Sequence, residues 1–135
     1  MRVSWLCWRR RRIADFQCVE TSKDWLYLKL TGELATDPSE ASFSFGDFHT
    51  RSYRTEVLEA IGLTHLGRLL PPIVDGVRQW HGLSADAAAR TGLVQGTPVV
   101  LGYLDLACQA LAAGSYGCGV ETGVSIIGLQ ACICG

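Results

Sequence analysis

The sequence predicts an α/β domain, and three observations carry the prediction. The run Val99-Val100-Leu101-Gly102-Tyr103-Leu104 is β-branched at its start, apolar on both faces and closed by Asp105, after which Leu106 to Ala113 takes up a helical pattern. Apolar residues at helical spacing, each followed by a stop signal, recur at 24–30, 52–63 and 85–91. The length of 135 residues suits one ordinary domain with one core, and is too short for two lobes with a cleft between them.

The elements are taken in chain order. Residues 1–18, MRVSWLCWRRRRIADFQC, have neither period and carry no cap or turn signal. They stand apart from the rest of the chain, either as a basic arm for nucleic acid or an anionic surface or as a non-native start such as a shifted reading frame. From Asp24, the residues Trp25, Leu26, Leu28 and Leu30 predict a short buried helix that Thr31-Gly32 stops. Asp37-Pro38-Ser39-Glu40 is a turn with capping residues, and Ala41, Phe43 and Phe45 alternate with Ser42 and Ser44 as a half-buried strand would.

Ser52 to Leu63 predicts a helix with Tyr53, Val57, Leu58 and Ile61 on its apolar face. A second short helix over Leu66–Leu70 must stop before Pro71-Pro72. Ser84 is placed to cap a helix over Ala85–Thr91, with Gly92 just past its end. Gly96-Thr97-Pro98 opens the run to Leu104, which has the pattern of an interior strand. A last strand, Val124 to Ile127, ends at Gly128. The body is thus taken as residues 19–130, with 131–135 a tail outside it.

Composition excludes several function classes. Residues 1–12 hold five arginines and no acid, so the remainder carries seven basic and thirteen acidic residues. Such a body does not attract nucleic-acid phosphates. Six cysteines form no C-x-x-C pair and no zinc-finger spacing, which argues against a structural metal; with no secretory signal, the cytoplasm is the expected compartment, and Cys108 is expected to be a small buried hydrophobe. No apolar run approaches the roughly 18 residues of a membrane span. Arg9 to Arg12 do not open an export signal, because Asp15, Gln17 and Glu20 fall where the apolar stretch belongs.

The chemically interesting element is strand, Asp105, helix. An acid at the carboxyl end of an interior α/β strand lies where such sheets bind ligands, although Asp also fills a helix N-cap for structural reasons alone. His49, His65 and His81 have no partner at ligand spacing and read as surface or cap residues, while Trp80 and Tyr53 read as core aromatics. Glycines 114, 117, 119 and 123 form neither a dinucleotide nor a P-loop fingerprint and read as turns.

Several segments together resemble the FGGY family of carbohydrate kinases. They are Asp24-Trp25-Leu26 with Leu30-Thr31-Gly32; Thr36-Asp37-Pro38-Ser39-Glu40-Ala41-Ser42; RTEVLEAIGL at 54–63; Leu70-Pro71-Pro72-Ile73; Gly92-Leu93; and Gly96-Thr97-Pro98-Val99-Val100. Order and spacing agree across about residues 23–129. GYLD followed by VETGVSIIG is most similar to the branch of L-xylulose and erythritol kinases.

The resemblance implies a partial ribonuclease-H-like (actin-like ATPase) domain, covering the later part of the first lobe only. It implies ATP and Mg2+ as the parent family's cofactors and a small ketose or polyol as substrate. It also makes Asp105 the general base on the substrate hydroxyl and Gly128 a candidate glycine of the phosphate loop. Leu129-Gln130 stand where that loop carries Thr or Ser, and Leu106 stands where many members carry a sugar-contacting Gln or Asn. With the early phosphate loop and the nucleotide lobe missing, the 135 residues alone are expected to be inactive and prone to associate through exposed apolar surface.

Overall fold

The computed structural model describes residues 18, 20–115, 124–127 and 131–134, so Gly128, residues 1–17 and Gly135 lie outside the described part. Helix α1, Ser22–Thr31, ends at Gly32, whose φ of +83° lets its N–H reach the carbonyl of Leu28. The helix is where the sequence put it, but its buried residues are Asp24 and Tyr27, whereas Trp25 and Leu26 are about half exposed. The expectation of a buried helix is corrected accordingly. At 100° per residue, Trp25 and Leu26 point away from the Asp24–Tyr27 line that faces the core.

Asp37 caps α2, Pro38–Ala41, by accepting the Ser39 N–H. The strand expected over 41–45 does not form. The Phe43 and Ser44 N–H groups close turns onto Glu40 and Ala41, and the Ser42 and Ser44 hydroxyls donate to the carbonyls of Ser39 and Ala41. These serines satisfy the backbone locally and so compete with a ladder. The alternation Ala-Ser-Phe-Ser-Phe marks a tight turn, with Phe43 exposed.

Strands β1, Gly46–Asp47, and β2, Ser52–Tyr53, then make a small hairpin. Helix α3 is Thr55–Ala60, shorter than expected, with Leu58 buried and Ile61 exposed beyond its end. A 3₁₀ helix, Thr64–Leu69, stops before the prolines as predicted.

β3, Trp80–Gly82, pairs antiparallel with β4, Pro98–Val100, with His81 opposite Val99. Between them α4, Ala85–Thr91, has the predicted ends: Ser84 Oγ accepts from Ala87 N–H at 3.2 Å, and Gly92 sits at φ +76°. The interior strand expected over 99–104 is corrected to three residues with a single neighbour, and Val100 and Trp80 are each more than half exposed. It ends because Gly102, at φ +73°, turns its N–H to Gly76 O at 2.7 Å. Helix α5, Asp105–Ala112, comes next, with Ala110 buried and Cys108 exposed rather than in the core. β5, Val124–Ile127, and β6, Ala131–Cys134, pair antiparallel.

The described residues thus mix helix with three two-stranded antiparallel sheets, and one parallel bridge joins Thr36 to Ile73. Tyr27, Ala35 and Leu101 form the apolar centre, with Val74 and Val99 packed on it. The largest fully buried side chains are two acids, Asp24 and Asp37. Among the described residues no helix is long and apolar enough to cross a membrane.

Candidate functional site

Two buried carboxylates need partners, since an isolated ion in a low-dielectric interior is strongly unfavourable. Lys23, in the first turn of α1, supplies the charge to both. Its Nζ lies 3.0 Å from Asp24 Oδ1 and 2.9 Å from Asp37 Oδ1, the second contact an ion pair without the alignment of a hydrogen bond. Burial pulls the Lys23 ammonium down, but contacts with Asp37 and Asp24 outweigh it and leave its pKa raised.

The second oxygen of Asp37 accepts both the N–H of Ser39, at 2.8 Å, and its hydroxyl. With its proton committed to Asp37, Ser39 Oγ in turn accepts the N–H of Leu104 at 2.9 Å, across 65 residues of sequence. Burial raises the pKa of the neighbouring Glu40.

Gly76 completes this assembly. The Thr36–Ile73 bridge, with Val74 N–H donating to Thr36 O, leads the chain under Asp37. A Cβ on Gly76 would lie 2.2 Å from Gly102 O and 2.9 Å from Asp37 Cβ. Here glycine is needed for space.

Asp105 is therefore the first residue of α5, directly after a backbone tied at residues 102 and 104. Leu104 occupies the N-cap position, so Asp105 is not the cap. Its carboxylate is exposed, and Oδ1 accepts the Leu106 N–H at 2.7 Å. This carboxylate stands on the first turn of α5, open to solvent. It is chemically able to accept a proton from a hydroxyl brought to it.

A cavity of about 310 Å³ lies close by, lined by Pro38, Ser39, Phe48, Arg51, Tyr103, Ala107 and Leu111. Ala107 is two residues beyond Asp105, some 200° around the helix, so the cavity and the carboxylate occupy opposite faces of α5. They do not form one site.

The other sequence candidates fall elsewhere. Gly128 is outside the described residues. Leu106 is half-buried, about 100° around α5 from Asp105. His49 is exposed in the β1–β2 turn, while His81 lies on β3 with Nδ1 2.5 Å from the Tyr27 hydroxyl. Tyr53, half-buried, donates to Pro71 O, and burial pushes its phenol pKa up. Among the described residues no three His, Cys, Asp or Glu side chains are grouped to hold a metal.

Sequence reading passed over Lys23, Asp24 and Gly76 as functional positions and took Asp37 and Ser39 only as a capping turn. Asp37-Pro38-Ser39 carried the signal of the local cap alone, and nothing in it marked the contact with Lys23.

An exposed acid thus heads a helix behind a backbone tied to a buried polar cluster in a protein of mixed helix and strand, and comparison with known proteins supplies its family. Residues 1–112 match the model of the N-terminal domain of the FGGY family of carbohydrate kinases, and the chain belongs to that family. The chain is 59% identical over 106 residues, 78% of its length and 20% of the relative's, to an erythritol kinase from Brucella abortus (strain 2308). It is 33% identical over 117 residues to the L-xylulose/3-keto-L-gulonate kinase of Escherichia coli (strain K12), covering 83% of this chain and 24% of that one. The crystal structure of a xyloylose kinase from Brucella ovis superposes with a TM-score of 0.61 at 33% identity, over 78% of this chain and 22% of that one. The chain thus spans about a fifth of the length of these relatives. Family and structural neighbour together imply the actin-like ATPase fold.

Proposed function

We propose that this chain supplies the acceptor side of an ATP-dependent carbohydrate kinase, with Asp105 as general base toward a hydroxyl of a small polyol. The observation that supports this best is the placement of Asp105: an exposed carboxylate at a helix start whose preceding backbone is held by Gly76 and Ser39. In such a reaction the hydroxyl oxygen attacks the terminal phosphorus of ATP, and the carboxylate takes the hydroxyl proton as the O–P bond forms. The 59% identity to an erythritol kinase favours a four-carbon polyol over a ketose.

ATP would supply the phosphoryl group and Mg2+ would offset its charge, as the family implies. Among the described residues no three His, Cys, Asp or Glu side chains are grouped to hold a metal, and the nominated phosphate glycine, Gly128, lies outside them. What these residues contribute is orientation of the acceptor and removal of its proton. On this reading the 135 residues assayed alone are expected to transfer no phosphate, because positioning relative to the nucleotide is the larger part of such catalysis. Exposed Trp25, Leu26, Phe48 and Leu111 support association of the isolated chain.

The test is a hybrid in which this chain's matching residues replace the 106-residue segment of the Brucella abortus erythritol kinase. The hybrid is expected to phosphorylate erythritol. Asp105→Asn within it should lower kcat by about 10²- to 10⁴-fold with an unchanged melting temperature. An Asp105→Asn hybrid turning over within threefold of the parent would reject the general-base role.

A further inference from the structure

We infer that Ser39, oriented by Asp37 and Lys23, is a positioning residue that sets where the Asp105 carboxylate stands; the inference rests on the general-base role proposed above.

The geometry has a direction. Lys23 Nζ fixes one oxygen of Asp37 at 2.9 Å, and that side chain is fully buried, so the carboxylate has little freedom to turn. Its other oxygen takes both the N–H and the hydroxyl proton of Ser39. A hydroxyl has one proton and two lone pairs, so once the proton points at Asp37 a lone pair must face elsewhere. It faces the N–H of Leu104, at 2.9 Å. Leu104 precedes Asp105, so the N–H held by this acceptor lies one residue before the general base.

The second tie, Gly102 N–H to Gly76 O at 2.7 Å, fixes the chain two residues earlier. Two ties on alternate residues restrict both the direction and the rotation of the segment entering α5. A general base displaced by about 1 Å loses on the order of 10²-fold in rate, so this restriction has a catalytic consequence.

The alternative is that Ser39 serves only the stability of the α2 turn, and the two roles separate experimentally. Amide hydrogen exchange in the erythritol kinase hybrid, followed at residue resolution by mass spectrometry with electron-transfer fragmentation, reads the tie itself. Ser39→Ala should speed exchange at Leu104 by tenfold or more relative to Ala88, whose N–H is bonded to Ser84 O in the distant α4. Kinetics in the erythritol kinase hybrid read the consequence. Ser39→Ala should lower kcat at least tenfold with KM for erythritol within threefold, and Ser39→Thr, which keeps the hydroxyl, should recover most of the loss.

A Ser39→Ala protein that melts lower yet keeps its kcat, in a hybrid where Asp105→Asn is inactive, would overturn the positioning role and leave the general base standing. An active Asp105→Asn hybrid would remove both. Unchanged exchange at Leu104 would show that the tie does not restrain the backbone and would likewise defeat the inference. Should Ser39→Ala not fold, Ser39→Cys, of similar volume but a poorer acceptor, is expected to show the same exchange and kcat pattern.

Discussion

Replacing Gly76 by alanine tests the packing beneath Asp105 most directly. The added Cβ would sit 2.2 Å from Gly102 O and 2.9 Å from Asp37 Cβ, each well inside ordinary van der Waals contact. The backbone must separate by about 1 Å at the carbonyl, which also breaks the 2.7 Å bond from Gly102 N–H to Gly76 O. Overpacking of this kind costs about 1–3 kcal/mol and a lost hydrogen bond about 0.5–1.5 kcal/mol, so together about 3 kcal/mol is expected. For a domain of this size 1 kcal/mol corresponds to roughly 3–5 °C, and Gly76→Ala should melt about 10 °C lower by far-UV circular dichroism. Gly92→Ala is the control, because its Cβ would meet nothing within 4 Å and only the φ of +76° is strained. About 1–2 kcal/mol, or roughly 5 °C, is expected there. A Gly76→Ala protein melting within 2 °C of the parent would refute the close approach.

Lys23→Met leaves two buried carboxylates without a cation; with Lys23 itself partly exposed, solvent recovers some of the loss, and about 3 kcal/mol of destabilisation is expected by urea titration at pH 7, an unchanged midpoint being the contrary result. Asp47 has its pKa lowered by the backbone N–H groups of Thr50 and His49, and Asp75 by those of Val77 and Arg78. A lowered folded pKa means these contacts support folding above the ordinary aspartate value of 3.8 and are lost as pH falls through the lowered values. Carboxyl-carbon NMR should therefore find both midpoints below 3.8, and a midpoint at or above it would contradict the turn geometry.

Much of the local structure was legible because local rules decide it. Ser84 and Gly92 bound α4 through a side-chain cap and a left-handed residue, and Gly32 ends α1 in the same way. Pro71-Pro72 stop the 3₁₀ helix because the residue before a proline avoids the helical region. The order of the family segments was equally legible, as was the placement of Asp105 at a helix start.

What failed did so where tertiary context outweighs pattern. Ser42 and Ser44 mimic the polar half of a strand, but their hydroxyls close a turn. Trp25, Leu26 and Trp80 are apolar yet exposed, since periodicity reports which residues share a face and not which face is covered. The Lys23–Asp37 pair joins the start of α1 to the cap of α2, and no periodicity encodes such a contact. Gly76 sits in a stretch with no pattern at all, and its requirement for a bare Cα arises only when residue 102 arrives above it.

A half-buried Lys flanked by two buried Asp is a poor device for stability alone. The desolvation of three charges is repaid only in part by their attraction, and apolar residues of the same volume often do as well or better. What apolar residues cannot do is point. Asp37 presents one oxygen to a cation and the other to a hydroxyl, and that hydroxyl presents a lone pair to one particular backbone N–H, at Leu104. Each step removes a rotational freedom that hydrophobic contact would leave. The cluster ties the segment leading to Asp105 at Leu104, while the same segment enters the apolar centre of Tyr27 and Ala35 through Leu101. The hydrogen bonds give that segment direction, and the apolar contact gives it cohesion. On that division Lys23→Met should disturb the exchange of the Leu104 amide more than Leu58→Ala, even when the two substitutions lower the melting temperature equally. Equal disturbance would mean that the buried charges hold the fold together and aim nothing.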